Sequence, residues 1–222
     1  MVRSLAALTL AVVFVIPAVA DDLNPASWRG EIDTVFAEWD FPTGVDVNPD
    51  PGSYYGPGYN DTYVWDDTGW TWHDSYEGRQ GVWQIDGNGG WDVANYEPTL
   101  GGKFIQVQIT YFGNLEGMHT YAEEFILSDG AMPEYMEETV DLTVDSTTPL
   151  ENGWTHAVLT GEFVTFNPDM EAYYPYASGG IPPTGGLYID QIVIETLHYT
   201  PEPATMVLLG LGSLMVIRRR RK

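Results

Sequence analysis

Apolar and polar residues alternate with a period of two in several segments of this chain, and a helical period of 3.6 residues is almost absent. In KFIQVQITYF (103–112), apolar side chains from Ile105 to Tyr111 alternate with glutamine or threonine. In TVDLTVDS (139–146), Val140, Leu142 and Val144 alternate with polar residues in the same way. Successive side chains of a strand point to opposite faces, so both segments are predicted to be half-buried strands of antiparallel sheets.

Two longer segments extend this pattern. WTHAVLTGEFVTF (154–166) predicts a strand interrupted at Gly161 by a bulge, and GLYIDQIVIETLHY (186–199) is apolar on both faces, which indicates a central strand. The stretches 48–61 and 176–186 are dense in glycine and proline and are predicted to be surface loops. We therefore expect an all-β fold, a single antiparallel β-sandwich of jelly-roll type over residues 21–200.

The charge of the chain restricts its partners. Between residues 21 and 217 only Arg29, Arg79 and Lys103 oppose all 32 acidic residues. This part of the chain, which we call the body, repels nucleic acid and anionic membrane surfaces, because it has few groups that can pair with phosphate. A content of 44% hydrophobic and 14% aromatic residues is nevertheless enough for a core. The absence of cysteine excludes disulfides, thiol catalysis and thiolate metal sites.

The N-terminus has the layout of a secretory signal peptide. Arg3 precedes a twelve-residue apolar run from Leu5 to Ile16, and Ala18 and Ala20 occupy the positions that a signal peptidase inspects. The alternative is an anchor helix, but twelve residues span only about 18 Å of a hydrocarbon core about 30 Å thick. We expect signal peptidase to remove residues 1–20, leaving Asp21 at the mature N-terminus.

The C-terminus has three consecutive parts. Pro201, Glu202 and Pro203 precede an apolar run at 204–217, which five cations follow at 218–222. This order resembles the PEP-CTERM sorting signal of exported bacterial proteins. The resemblance implies cleavage at Pro-Glu-Pro by the membrane enzyme exosortase and delivery to the cell surface or extracellular matrix. The apolar run would be a short transmembrane helix of about 21 Å with the cations on the cytoplasmic side. An ordinary C-terminal anchor is the alternative.

The body also resembles uncharacterised exported PEP-CTERM proteins of planctomycete-type bacteria. The resemblance rests on four segments, WRGEIDTVFAEWDF (28–41), GRQGVW (78–83), GGKFIQVQITYF (101–112) and YIDQIVIET (188–196). It implies no activity and no site residues, so it supports export alone.

No catalytic motif stands out in the sequence. The four histidines, His73, His119, His156 and His198, are widely spaced, and the chain has no G-x-S-x-G elbow and no phosphate-binding glycine loop. With 32 acids, some carboxylate pair will always have a separation suitable for glycoside hydrolysis, so such pairs are uninformative. We expect a protein without enzymatic activity or a required cofactor.

One loop is a candidate calcium site. In DGNGGWD (86–92), Asp86, Asn88 and Asp92 place oxygen atoms at alternate positions on a backbone rich in glycine, as short calcium loops do. Plain turns have the same composition, and Asp66 with Asp67 is a weaker candidate.

Tryptophans suggest a second kind of site. Trp70 and Trp72 in DDTGWTWHD (66–74) fall on one face of a strand and could stack on sugar rings, or they could fill the core. Asp190 fits either a carbohydrate site or a structural carboxylate. The leading hypothesis is a structural or interaction role at the cell surface. A module binding extracellular polysaccharide is the alternative, and a glycan hydrolase or lyase is a more distant one.

Overall fold

Antiparallel β-strands make up most of the chain that the structure describes. The computed structural model describes residues 22–41, 51–57, 61–66, 69–96, 99–126 and 134–199. The strands are β1 (Thr34–Trp39), β2 (Ser53–Tyr55), β3 (Tyr63–Asp66), β4 (Thr71–Tyr76), β5 (Arg79–Asp86), β6 (Gly89–Ala94), β7 (Thr99–Leu100), β8 (Gly102–Phe112), β9 (His119–Ile126), β10 (Glu134–Asp141), β11 (Thr143–Pro149), β12 (Thr155–Phe163), β13 (Phe166–Asn167), β14 (Met170–Tyr174) and β15 (Thr184–Tyr199). These described ranges contain no α-helix, and a 3-10 turn lies at Glu151–Gly153.

The strands form two main sheets. The large sheet has the order β11-β12-β8-β15-β1-β2, and β5 pairs with the first part of β15 and carries β4 on its other side. The small sheet has the order β10-β9-β14-β6-β3, and β7 pairs with β13 separately. Every pairing between described strands is antiparallel. The prediction of an all-β, sandwich-like fold is confirmed.

A single apolar core contains residues from both sheets. Its large, fully buried aromatic residues include Trp39 of β1, Trp91 of β6, Tyr173 of β14 and Phe163 of β12. The predicted alternation of β8 is confirmed, since Ile105, Val107 and Ile109 all belong to this core. Burial of these apolar side chains is the main force that holds the sheets together.

The outer face of the large sheet is also buried where the N-terminal strap, defined here as residues 22–31, crosses it. The backbone N–H of Ala26 donates to Glu195 Oε2 at 3.0 Å, and Arg29 Nε donates to Glu195 Oε1 at 2.5 Å. Arg29 also forms an ion pair with Asp22, whose Oδ1 accepts from Gln108 Nε2 at 2.7 Å. Strap and sheet therefore meet through charged hydrogen bonds, which the sequence pattern did not predict.

β15 is the central strand that the sequence predicts. It pairs with β8 on one side and with β5 and then β1 on the other. Ile192 and Ile194 belong to the core, while Val193 and Glu195 are buried on the opposite face. A strand covered on both faces explains the nearly continuous apolar run.

The single half-buried strand predicted for TVDLTVDS is wrong. The chain leaves the small sheet at Asp141, the end of β10, and enters the large sheet at Thr143, the start of β11, with the buried Leu142 between them. Every residue of β11 is exposed, and Val144 is 52% exposed. The alternation continues across this change of sheet, so the pattern alone could not locate it.

The bulge predicted at Gly161 is also wrong. β12 passes through Gly161 in continuous register with β8. A Cβ atom at this position would lie 2.5 Å from Leu142 Cδ2 and 3.1 Å from Val140 Cγ1. Glycine is present because the crossing from β10 to β11 packs directly against it.

Candidate functional site

An aromatic surface covers the outer side of the small sheet. We call it the aromatic face and define it by Tyr63, Trp65, Tyr121, Tyr174 and Asp92. Their strand neighbours Val64, Trp91, Val93, Ala122 and Tyr173 all point into the core. Because strand side chains alternate, the defining residues point outward, where all five are half-buried.

Strand register brings these residues together. Tyr63 pairs with Asp92, Asp92 with Ala172, and Ala172 with Tyr121, which forms one row across four strands. In the next row Trp65 pairs with Gly90. The small residue Ala172 separates Asp92 from Tyr121 in the first row, and Gly90 separates Trp65 from β14 in the second.

The rings hold defined positions. Trp65 meets Tyr174 edge to face, with centroids 5.6 Å apart, and Tyr174 stacks on His119 at 4.5 Å. Trp65 Cζ2 would lie 3.5 Å from a Cβ at Gly90, so the indole lies over that glycine. Fixed rings lose little conformational entropy when they bind a flat partner.

A carboxylate lies beside these rings. Trp65 Nε1 donates to Asp92 Oδ1 at 3.0 Å. Burial raises the pKa of Asp92, although hydrogen bonds from Trp65 and Tyr63 oppose the shift. Asp92 thus places hydrogen-bond acceptor oxygens next to an apolar surface.

Phenols and carboxylates continue the surface onto β9 and β10. Glu123 Oε2 accepts from Tyr121 Oη at 2.6 Å and from Tyr135 Oη at 2.7 Å. These two hydrogen bonds lower the pKa of Glu123. Tyr135 is 48% exposed. Flat rings beside hydroxyls and carboxylates suit a ligand with apolar C–H faces and many hydroxyl groups.

The cations of the described body lie elsewhere and are paired. Arg29 pairs with Asp22 and Glu195, and Lys103 with Glu171. Arg79 Nη1 lies 2.5 Å from Asp190 Oδ2. The aromatic face has carboxylates and no described cation, so it favours uncharged or cationic ligands over anionic ones.

Trp70 and Trp72 point toward the core. Trp70 is 6% exposed, with its ring centroid 5.4 Å from that of Trp91. Trp72 is half-buried against the same core, and its Nε1 donates to the Phe41 carbonyl at 3.2 Å. They share a face, as expected, but its burial favours the core interpretation over sugar stacking.

The candidate calcium residues lie at a corner between the sheets. Asp86 ends β5, Asn88 lies in the turn, and Asp92 lies within β6, about 10 Å along the strand from Gly89 at about 3.3 Å per residue. Asn88 Oδ1 accepts from Tyr176 Oη at 3.0 Å, and Asp92 accepts from Trp65. Within the described ranges, no group of three histidines or acids is placed to hold a metal. Calcium binding stays a prediction.

Other acidic candidates have local roles. Asp66 accepts from the backbone N–H groups of Gly69, at 2.8 Å, and Trp70, at 2.5 Å, which is a turn-forming arrangement. Asp67 lies outside the described residues. Asp190 lies at an irregularity in the β15–β8 register, where its ion pair with Arg79 favours a structural role.

The sequence analysis missed the aromatic face. The alternation of Tyr63, Val64 and Trp65 could have placed Tyr63 and Trp65 on one side of a strand. No local pattern could have placed Tyr121 and Tyr174 beside them, because their proximity depends on the order of strands in the small sheet.

Comparison with known proteins identifies the tail. Residues 200–222 match the family model of the PEP-CTERM protein-sorting motif. No curated protein matches the chain. The motif implies an exported protein with a membrane-anchored intermediate and processing by an exosortase.

The match contains Pro201, Glu202 and Pro203, the apolar run at 204–217 and the cations at 218–222. These residues, like Ala18 and Ala20, lie outside the described residues. Within the described ranges, no helix has the length and apolar character needed to cross a membrane.

Proposed function

We propose that this chain is an exported protein that reaches the cell surface or extracellular matrix through its C-terminal tail. Signal peptidase removes residues 1–20, the helix at 204–217 holds an intermediate in the inner membrane, and exosortase cuts at Pro201-Glu202-Pro203. The body is a sandwich of jelly-roll type. The match of residues 200–222 to the sorting motif carries the proposal.

Expression in hosts with and without an exosortase tests this proposal. With the enzyme, the body should appear at the surface or in the medium without the tail. Without it, the chain should stay in the membrane fraction with the tail attached. The same location and mass in both hosts would contradict sorting through this tail.

The body acts by binding or scaffolding rather than by catalysis. Its strongly buried ionisable residues, such as Glu195 and Glu171, accept hydrogen bonds within the fold. The histidines lie on four strands, β4, β9, β12 and β15, in two sheets. These observations support a structural protein, with calcium as an optional ligand of the 86–92 loop.

Binding of a neutral polysaccharide is the second candidate function, and the aromatic face favours it. Trp65 on β3 and Tyr121 on β9 present rings on either side of β6 and β14, and Asp92 between them supplies acceptors for sugar hydroxyls. The negative charge of the body disfavours uronic-acid polymers.

Affinity electrophoresis in gels containing neutral polysaccharides tests this candidate. Trp65→Ala and Tyr121→Ala should each weaken retardation about tenfold, equivalent to about 1.4 kcal/mol. Tyr55→Ala is the matched control, because Tyr55 is an exposed aromatic residue on the large sheet. Equal retardation of all variants would contradict the assignment of the site, and no retardation of the parent protein would remove the candidate.

A further inference from the structure

An amine, a carboxamide and a carboxylate meet in the interior of the domain. Lys103 is the second residue of β8 in the large sheet, Glu171 lies on β14 of the small sheet, and Asn95 follows β6 directly. Their exposed fractions are 1%, 1% and 8%. Lys103 is also the sole lysine between residues 21 and 200 of a strongly acidic sequence.

One carboxylate oxygen of Glu171 accepts hydrogen bonds from both of the other side chains. Glu171 Oε2 accepts from Lys103 Nζ at 2.7 Å and from Asn95 Nδ2 at 2.6 Å. Two donors to the same oxygen lie within about 5 Å of each other. A change in the side-chain torsions of Lys103 can bring Nζ to about 3–3.5 Å from Cγ of Asn95, the distance at which reacting atoms meet.

The surroundings favour uncharged reactants. Burial lowers the pKa of Lys103, although attraction to Glu171 opposes this shift. Burial raises the pKa of Glu171, although Lys103 opposes it in the same way. An unprotonated amine is nucleophilic and a protonated carboxyl can donate a proton, so this environment favours both reactive forms.

The amide of Asn95 is held for attack. Its backbone N–H donates to the Asp169 carbonyl at 2.6 Å, and its Oδ1 accepts from Thr196 Oγ1 at 3.2 Å. Tyr173 Oη donates to Glu171 Oε1 at 2.9 Å, which fixes the carboxyl group. The hydroxyl of Thr196 is placed to stabilise negative charge that develops on Oδ1.

We propose that Lys103 and Asn95 form an intramolecular isopeptide bond, with Glu171 as the catalytic acid and base. Nζ of the neutral lysine attacks Cγ of Asn95, and Oδ1 takes up the negative charge. Protonated Glu171 delivers its proton to Nδ2 and recovers one from Nζ, so the carboxyl group ends the reaction as it began. The Cγ–Nδ2 bond breaks and ammonia leaves, so one amide replaces another and no oxidant or cofactor is needed.

The product would link the two sheets covalently. Lys103 belongs to the large sheet, and Asn95 directly follows β6 of the small sheet. An exported protein without cysteine would thereby gain a cross-link that reducing conditions cannot open.

Tryptic digestion of the fully denatured protein tests the proposal. Trypsin should cut after Arg29 and Arg79 but not after Lys103, whose amine is blocked. The intact protein should be lighter than its own sequence by the mass of one ammonia molecule. Cleavage after Lys103 together with the full sequence mass would overturn the proposal and leave a buried ion pair.

Two variants identify the partner and the catalyst. Asn95→Ala removes the carbonyl carbon that is attacked, and Glu171→Gln keeps the shape but cannot relay protons. Both should regain cleavage after Lys103 and the full mass of their own sequences, whether or not they fold. Continued blockage in Asn95→Ala would overturn Asn95 as partner, and continued blockage in Glu171→Gln would overturn Glu171 as catalyst.

Discussion

Single residues with tight surroundings decide how the two sheets meet. Gly161 is the clearest example. The sequence pattern predicts a strand break at this glycine, whereas in the structure it is the point where Leu142 and Val140 pack against a continuous β12. Leu142 and Val140 lie where its side chain would be. The glycine is required by packing and not by a special backbone angle.

Gly161→Ala should therefore lower the free energy of unfolding by about 1–3 kcal/mol through overpacking. The double variant Gly161→Ala/Leu142→Ala should lose less than the sum of the two single variants, because removing Leu142 Cδ2 relieves the clash. Urea denaturation measures all three. Additive losses would show that the contact with Leu142 does not restrict this position.

A second residue-scale prediction concerns acid. Burial alone would raise the pKa of Asp22, but hydrogen bonds from Arg29 and Gln108 and the charge of Arg29 lower it. The unfolded state then binds a proton more readily, so stabilisation by Asp22 is fully present above its ordinary pKa of 3.8 and is lost as the pH falls through the lower folded value.

Asp22→Asn should lose about 1 kcal/mol at neutral pH and show a shallower decline of stability below about pH 4 than the parent protein. Thermal unfolding between neutral and acidic pH measures the two curves. Parallel curves would mean that Asp22 does not titrate as the structure indicates.

At the scale of elements, the sequence predicts strands better than it predicts their neighbours. Alternation correctly identified β8, and apolar residues on both faces correctly identified β15 as central. Periodicity gives the face of a side chain but not the sheet to which a strand belongs. It therefore missed the change of sheet at Leu142 and the burial of Gln108 beneath the N-terminal strap.

The same limit applies to the candidate sites. Lys103, Asn95 and Glu171 come from separate strands, and their meeting depends on sheet order and register. A lone lysine among so many acids was the only local signal. Trp70, by contrast, was singled out although nothing local distinguishes a core tryptophan from an exposed one.

The N-terminal strap yields the element-scale prediction. Arg29→Met leaves Glu195, which is fully buried, without its cation, so the domain should lose about 3 kcal/mol of stability. Arg29→Met/Glu195→Gln should recover much of that loss because no unpaired charge remains. Denaturant titration compares them, and an equal loss in both would mean that packing of the Arg29 chain matters more than its charge.

At the scale of the whole molecule, the tail should determine location without determining the fold. Proline restricts its own backbone and disfavours helix in the residue before it, so the Pro201-Glu202-Pro203 sequence predicts a non-helical segment that a processing enzyme can grip. Replacing Pro201-Glu202-Pro203 with three alanines should extend the helix backwards and leave the protein uncleaved in the membrane. Fractionation of an exosortase-bearing host measures this, and release of the variant at the mature mass would contradict it.

The five cations at 218–222 provide a matched comparison. Changing them to serine should weaken retention of the C-terminus on the cytoplasmic side, because positive charge holds that end inside. The body should keep the same β-rich circular dichroism in both tail variants. A changed spectrum would mean that the tail contributes to folding.

β15 ends at Tyr199, directly before the sorting motif that begins at residue 200. If the proposed sorting leaves the protein attached through its C-terminus, a pulling force on the domain is transmitted along this strand. Its ladder with β8 runs from Tyr188 to Tyr199, and β1 flanks its second half. A pull along the strand axis would load these rungs together in shear instead of breaking them one by one, so a tether at this end of β15 would pull on a strand that is hydrogen-bonded on both sides.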